Sequence, residues 1–185
     1  MYNKHSFSSN KLVYYTLVIF IFIQLFFPLA GSALAQEYVL PYPSFMPGHP
    51  FYKFRLVLER VQEIWSFGNF SKFSYSLRQS DKYLIEAKTL FEYNQYLLAT
   101  KALEKSNEYF AKTSVFLEAA RREGKDTREK TMLLMQAANK HKEVLGELIS
   151  VVPVEFNWQP EKREATVLRI KSALEESIKI RRNIE

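Results

Sequence analysis

The sequence predicts an all-α fold: an up-and-down bundle of about five helices around a central antiparallel hairpin, preceded by a signal peptide and an extended proline-rich segment. Three observations carry this. Small or apolar residues at Tyr96, Ala99, Leu103, Ser106, Phe110, Thr113, Leu117 and Ala120 alternate steps of three and four. Such spacing draws one narrow stripe down a helix that a partner helix must cover. The same spacing returns at Thr127, Thr131, Leu134, Ala138, His141, Leu145 and Leu148. Finally, Tyr93-Asn94-Gln95-Tyr96 is too short a break to join anything but antiparallel neighbours.

With 185 residues, 47% hydrophobic and 25% charged, the composition is that of an ordinary globular chain. There is no cysteine, which excludes disulfides, thiolate metal sites and cysteine nucleophiles. The net charge is +6, but Lys4 and Lys11 precede the expected cleavage point, leaving 24 basic and 20 acidic residues, net +4. Acids and bases alternate, as in Glu59-Arg60 and Arg128-Glu129-Lys130, where a nucleic-acid binder would concentrate its bases.

The first eleven residues hold Lys4, His5, Lys11 and no acid, and Leu12 to Ala30 is largely apolar. Ala33-Leu34-Ala35 then supplies small residues before Gln36. A basic start, an apolar core and that site specify a secretory signal over 1–35, cleaved after Ala35. About 19 apolar residues also suffice for an uncleaved anchor, although Pro28 and Gly31 would weaken a spanning helix. Both alternatives place the rest of the chain beyond the membrane.

Residues 36–50 carry Pro41, Pro43, Pro47 and Pro50 among Tyr38, Tyr42, Phe45 and Met46. Proline at this density imposes an extended path, either as a docking arm or folded back over the helices. The helical domain spans 51–152. From Pro50, at a first helical position, to Ser66 the residues Phe54, Val57, Leu58, Val61, Ile64 and Trp65 recur at helical spacing, which predicts a helix with that face buried. Phe67-Gly68-Asn69-Phe70 breaks it. A second helix follows from Ser71 to Tyr93 with Phe73, Leu77, Leu84, Ala87, Lys88 and Phe91 on one side, and a third from Tyr96 to Ala120. Gly124 ends the third, after arginines suited to the helix dipole. Asp126, with Glu129 three residues on, predicts a capping box for a fourth helix reaching Ser150. In the last segment, 153–185, Phe156 and Trp158 are expected to plug the bundle's end. Pro160 opens a fifth helix carrying Val167, Ile170, Leu174 and Ile178 and ending in Arg181-Arg182 at the dipole's negative end.

Tyr83, Ala87, Leu90, Ala99, Leu103 and Ser106 resemble the large and small positions of a tetratricopeptide hairpin. Glu86 stands where that motif has an apolar residue, Ala111 where it often has proline, and no second copy follows. Val39-Leu40-Pro41-Tyr42-Pro43 and Met46-Pro47-Gly48-His49-Pro50-Phe51-Tyr52 resemble the opening of an uncharacterised family, a domain of unknown function, of exported bacterial helical proteins with an LPYPG-like, proline-spaced mature terminus. Ser44 replaces the usual glycine. The likeness covers residues 38 to 120 and implies an envelope location and a helical domain, with no assigned activity or site residues.

No catalytic, cofactor or metal constellation is legible. His5 lies in the signal, His49 in the proline segment and His141 on a helical stripe, so none pairs at ligand spacing, and His141 reads as an interior histidine. No Gly-x-Ser-x-Gly elbow or phosphate loop occurs. Glu175 and Glu176 point in different directions on a helix. Phe67, Phe70, Phe73 and Tyr75 beside Lys72 and Arg78 could form a stacking platform for single strands, but core packing explains them equally. The expectation is a non-enzymatic structural or interaction protein of the envelope, holding a protein partner or a second copy through helical faces. It touches membrane only through residues 12–30 and binds no nucleic acid. The alternative is a cradle for apolar or unfolded clients.

Overall fold

The seam that runs from Tyr96 to Ala120 is covered as its spacing requires: Ala99, Leu103, Ser106, Phe110, Thr113, Leu117 and Ala120 are all buried. In the computed structural model, which describes Tyr15, residues 37–162 and residues 164–183, five helices and one two-stranded sheet form a helical bundle. The elements below lie in the compact unit Tyr38–Glu185. The helices are α1 (Tyr52–Ile64), α2 (Asn69–Glu92), α3 (Tyr96–Arg122), α4 (Arg128–Val151) and α5 (Ile170–Arg182), with β1 (Phe156–Trp158) and β2 (Thr166–Leu168) before α5. The export signal expected over 1–35 lies outside the described residues except for Tyr15. Among the described residues no helix is long and apolar enough to cross a membrane.

The central hairpin is α2 and α3, and local chemistry sets both of its ends. Asn94 adopts a left-handed φ of 58°. The Gln95 N–H then reaches the Leu90 carbonyl at 2.8 Å and the Asn94 N–H reaches that of Phe91 at 3.0 Å, closing the last turn of α2. Gly124, at φ 76°, repeats the device after α3 with Lys125 N–H on the Ala120 carbonyl at 3.1 Å.

Two apolar clusters fill the bundle. One holds Leu84, Leu90, Phe91, Leu103, Leu145, Leu148, Ile170 and Leu174. The other holds Phe73, Leu77, Phe110, Leu117, Leu134 and Ala138. Between them along the chain lie Ser80 and Asp81 on α2, Ser106 on α3, His141 on α4 and Ser177 on α5, joined by Arg181 from the end of α5, all buried. The predicted stripe on α4 is this same interior face.

Three expectations are corrected at element ends. Pro50 does not begin a helix: Met46 to His49 form a reverse turn, with His49 N–H on the Met46 carbonyl at 3.0 Å and Gly48 at φ 97°. The first helix therefore starts at Tyr52. The box built on Asp126 and Glu129 does not form. Thr127 is the cap residue, Asp126 accepts from the Arg128 N–H at 3.1 Å, and Glu129 pairs with Lys130. The fifth helix begins ten residues after Pro160, because β1 and β2 come first and pair antiparallel, Phe156 with Leu168 and Trp158 with Thr166. The Phe156 ring packs 4.8 Å from Tyr96. The fifth helix ends in Arg181-Arg182 as expected, with Arg181 fully buried on interior partners.

The proline segment folds back. Tyr38, Leu40 and Met46 pack against the two clusters and the Tyr38 hydroxyl donates to Asp81 at 2.6 Å. Val39, between Tyr38 and Leu40, is exposed, as alternating faces of an extended chain require, and the alternation ends there, since Pro41 and Tyr42 are both exposed.

Candidate functional site

The largest departure is α1. Its predicted buried face is turned outward: Phe54 is 60% exposed, Val57 60%, Ile64 66% and Trp65 74%, with Leu58 and Val61 also exposed. The buried residues of this helix are Arg55 and Glu59. The correction has a physical cause in what α2 offers beneath it.

That surface is polar. Arg55 donates to Glu86 at 2.5 Å and to the Phe45 carbonyl at 3.0 Å. Glu59 takes Lys82 at 2.6 Å and the Tyr83 hydroxyl at 2.8 Å on its carboxylate, and the Tyr75 hydroxyl at 2.9 Å on its carbonyl. Tyr52 donates to Glu86 at 3.2 Å. Arg55 Nε lies 3.3 Å from Glu59 without the alignment of a hydrogen bond. Arg55 also stands 4.7 Å over the Tyr52 ring, and Tyr83 stacks on Tyr109 at 5.9 Å. Two bases, Arg55 and Lys82, face two acids, Glu59 and Glu86, so the network is neutral as a whole.

Burial opposes the charge on Arg55, but the bond to Glu86 and the charges of Glu86 and Glu59 outweigh it and raise its pKa. Burial, then Glu86, pushes Tyr52 up to about 12. Burial first and Glu59 next push Tyr83 upward as well. The phenols therefore remain protonated donors at neutral pH. A buried ion-pair network contributes little net stability, because desolvation offsets the attraction, but it penalises every arrangement that leaves a member unpaired. Rolling α1 so that its apolar face met α2 would leave Lys82 and Glu86 covered and without their partners.

Around the outward face the charges are uneven. Lys53 and Arg60, seven residues apart, share one edge of the helix, and neither has a salt bridge among the described residues. Glu63, the exposed acid of α1, lines a shallow cleft of about 170 Å³ with Lys72, Lys112 and Phe116. A second cleft, about 180 Å³, lies between α3 and α4 and is lined by Glu118, Arg121 and Thr131 among others.

The interior polar layer is the other concentration of ionisable groups. His141 Nε2 meets Asp81 at 2.7 Å, and Arg181 Nε donates to His141 Nδ1 at 2.9 Å. A guanidinium cannot accept, so Nδ1 is the acceptor and the histidine proton sits on Nε2. Arg181 also donates to Asn107 at 2.6 Å, to Ser106 at 2.8 Å and to the Ser177 carbonyl at 2.9 Å, with its guanidinium 4.8 Å over Phe110. Burial, the largest influence, lowers the His141 pKa against the opposing bond to Asp81, and Arg181 lowers it further. Burial brings Arg181 down to about 9, still cationic at neutral pH. Both ring nitrogens are occupied, which leaves His141 none with which to take a proton from a nucleophile. Of the residues considered for a stacking platform, Phe73 and Tyr75 are buried and Phe70 packs on the core. Phe67 alone of these is freely exposed.

Sequence reasoning missed the polar seat of α1. One signal for it was present: Glu86, an acid at an otherwise apolar position of α2, together with Arg55 and Glu59 one turn apart.

Fold and site together define a helical-bundle domain that carries an amphipathic helix with its apolar side out. The chain belongs to the family described as Domain of unknown function (DUF5667), whose profile matches residues 44–155. Neither the curated proteins nor the solved structures contain a match. The matched region takes in α1 through α4 and begins after Val39 to Pro43.

Proposed function

We propose that this is an exported, non-enzymatic interaction protein of the bacterial cell envelope that docks through the outward apolar face of α1. The observation that carries the reading is the inverted seating of that helix, with Arg55 and Glu59 buried and Phe54, Val57, Ile64 and Trp65 exposed. Scattered apolar side chains are normal on a surface, but a continuous set on one helix marks an interaction site. Covering six such side chains would contribute on the order of several kcal/mol. Export rests on the basic start, the apolar stretch 12–30 and the Ala33-Leu34-Ala35 site. A cradle for apolar clients has less support among the described residues, where the two clefts named above are small and lined in part by charged residues.

The test places a photo-crosslinking residue at Val57 or, as control, at exposed Glu175 in the full chain in living cells. The reading expects adducts from position 57 well above those from 175, and equal yields would refute it. An alkaline phosphatase fusion at the carboxyl terminus should be active, and an inactive fusion would remove the export.

A further inference from the structure

Resting on the docking face just described, we infer that its occupant is the surface of an anionic lipid bilayer, on which α1 lies parallel to the membrane plane. The face that would enter the lipid is Phe54, Val57, Leu58, Val61, Ile64 and Trp65, all exposed. Along its edge run Lys53 and Arg60, both exposed and without ion-pair partners among the described residues. Apolar side chains with a tryptophan, bordered by basic residues, are what an interfacial helix presents to acyl chains and acidic headgroups. Mixed charge along the sequence argues against such a surface, but the fold sorts it. Glu59 is paired inward with Lys82, and Glu63 lines the cleft that holds Lys72 and Lys112. Lys53 and Arg60 outnumber the exposed Glu63, so the charge left beside the apolar face is positive.

A second copy of the chain fits less well. The two-fold axis of an antiparallel α1 pair sets each edge against itself, so Lys53 and Arg60 would face their own equivalents. A parallel pair would set them against the edge that carries Gln62, which holds no exposed acid. An antiparallel pair offers the two bases one exposed acid, Glu63, and a parallel pair offers none, whereas acidic headgroups compensate both. Juxtamembrane bases near an anionic surface are each worth roughly a five-fold change in the bound ratio.

The test uses the full chain in vesicles of phosphatidylcholine with or without phosphatidylglycerol, and reads each tryptophan separately against lipids carrying a shallow quencher. Because the reading is local, attachment by residues 12–30 does not mimic it. In the Trp158→Phe variant, the remaining Trp65 is expected to be quenched in anionic vesicles and to stay accessible to an aqueous quencher in neutral ones. In the Trp65→Phe variant, Trp158 should be quenched in neither. Adding Lys53→Gln and Arg60→Gln should lower the docked ratio roughly thirty-fold, from two such contributions. Quenching of Trp65 in neither lipid, or equally in both, overturns the inference. Protein adducts at Val57 with no lipid quenching of Trp65 would overturn it while sparing the docking face itself.

Discussion

The Arg55 guanidinium meets the Glu86 carboxylate at 2.5 Å with both side chains buried, and this contact between α1 and α2 decides which side of α1 faces water. An amphipathic helix ordinarily turns its apolar side to the core. Here the hairpin supplies carboxylate, ammonium and phenol groups where an apolar seat would be needed, so the polar side goes in.

Removing one member of that pair should therefore cost far more than a surface change. Arg55→Met is expected to destabilise the chain by about 3 kcal/mol, because Glu86 is left buried and unpaired. Adding Glu86→Leu should recover most of the loss. Urea denaturation of the two variants measures it, and equal stability of Arg55→Met and the parent would contradict the role given to the pair.

The buried histidine makes stability depend on pH. His141 has its folded pKa depressed below 6.5, chiefly by burial, between Asp81 of α2 and Arg181 of α5. The unfolded chain thus binds a proton that the folded one refuses. The contribution is fully present above pH 6.5 and is lost as pH falls below it, by up to about 1.4 kcal/mol per pH unit. Chemical denaturation between pH 8 and 5 should show this slope. His141→Gln, which cannot titrate, should flatten it, and an unchanged slope in that variant would assign the effect elsewhere.

The proline segment is tied to the same layer. Tyr38→Phe deletes the donor to Asp81 and is expected to cost about 1.5 kcal/mol. Urea denaturation of the variant measures the loss. Unchanged stability would mean that apolar packing alone holds the segment.

At the end of α3, Gly124 has open space around its α-carbon but a left-handed φ of 76°. Gly124→Ala should lower stability by about 1 kcal/mol through backbone strain alone. A thermal melt showing a gain would contradict the closing turn described here.

The two seams, on α3 and α4, were fully legible, because a three-four alternation fixes a helix and its covered side at once when the partner is also apolar. Asn94 and Gly124 were legible as breaks for local reasons. The orientation of α1 was not, since periodicity locates an apolar face without saying what lies beneath it. The deciding acid, Glu86, is 31 residues from Arg55 in the chain. Pro160 misled because it fits a helix start and a turn equally, and three-residue strands leave little period to read. Arg181 satisfied a dipole rule at a helix end while its partners, His141 and Ser106, came from helices far earlier in the chain.

The central claim is that α1 is seated polar side in, and cysteine labelling tests it most directly because the chain has no native cysteine. Single variants Val57→Cys and Ile64→Cys, with Leu84→Cys as the interior reference, would be treated with a maleimide in the full chain held in neutral lipid. Positions 57 and 64 are expected to react as fast as an unfolded peptide while position 84 is protected. Protection at 57 and 64 equal to that at 84 would mean the apolar face is buried after all.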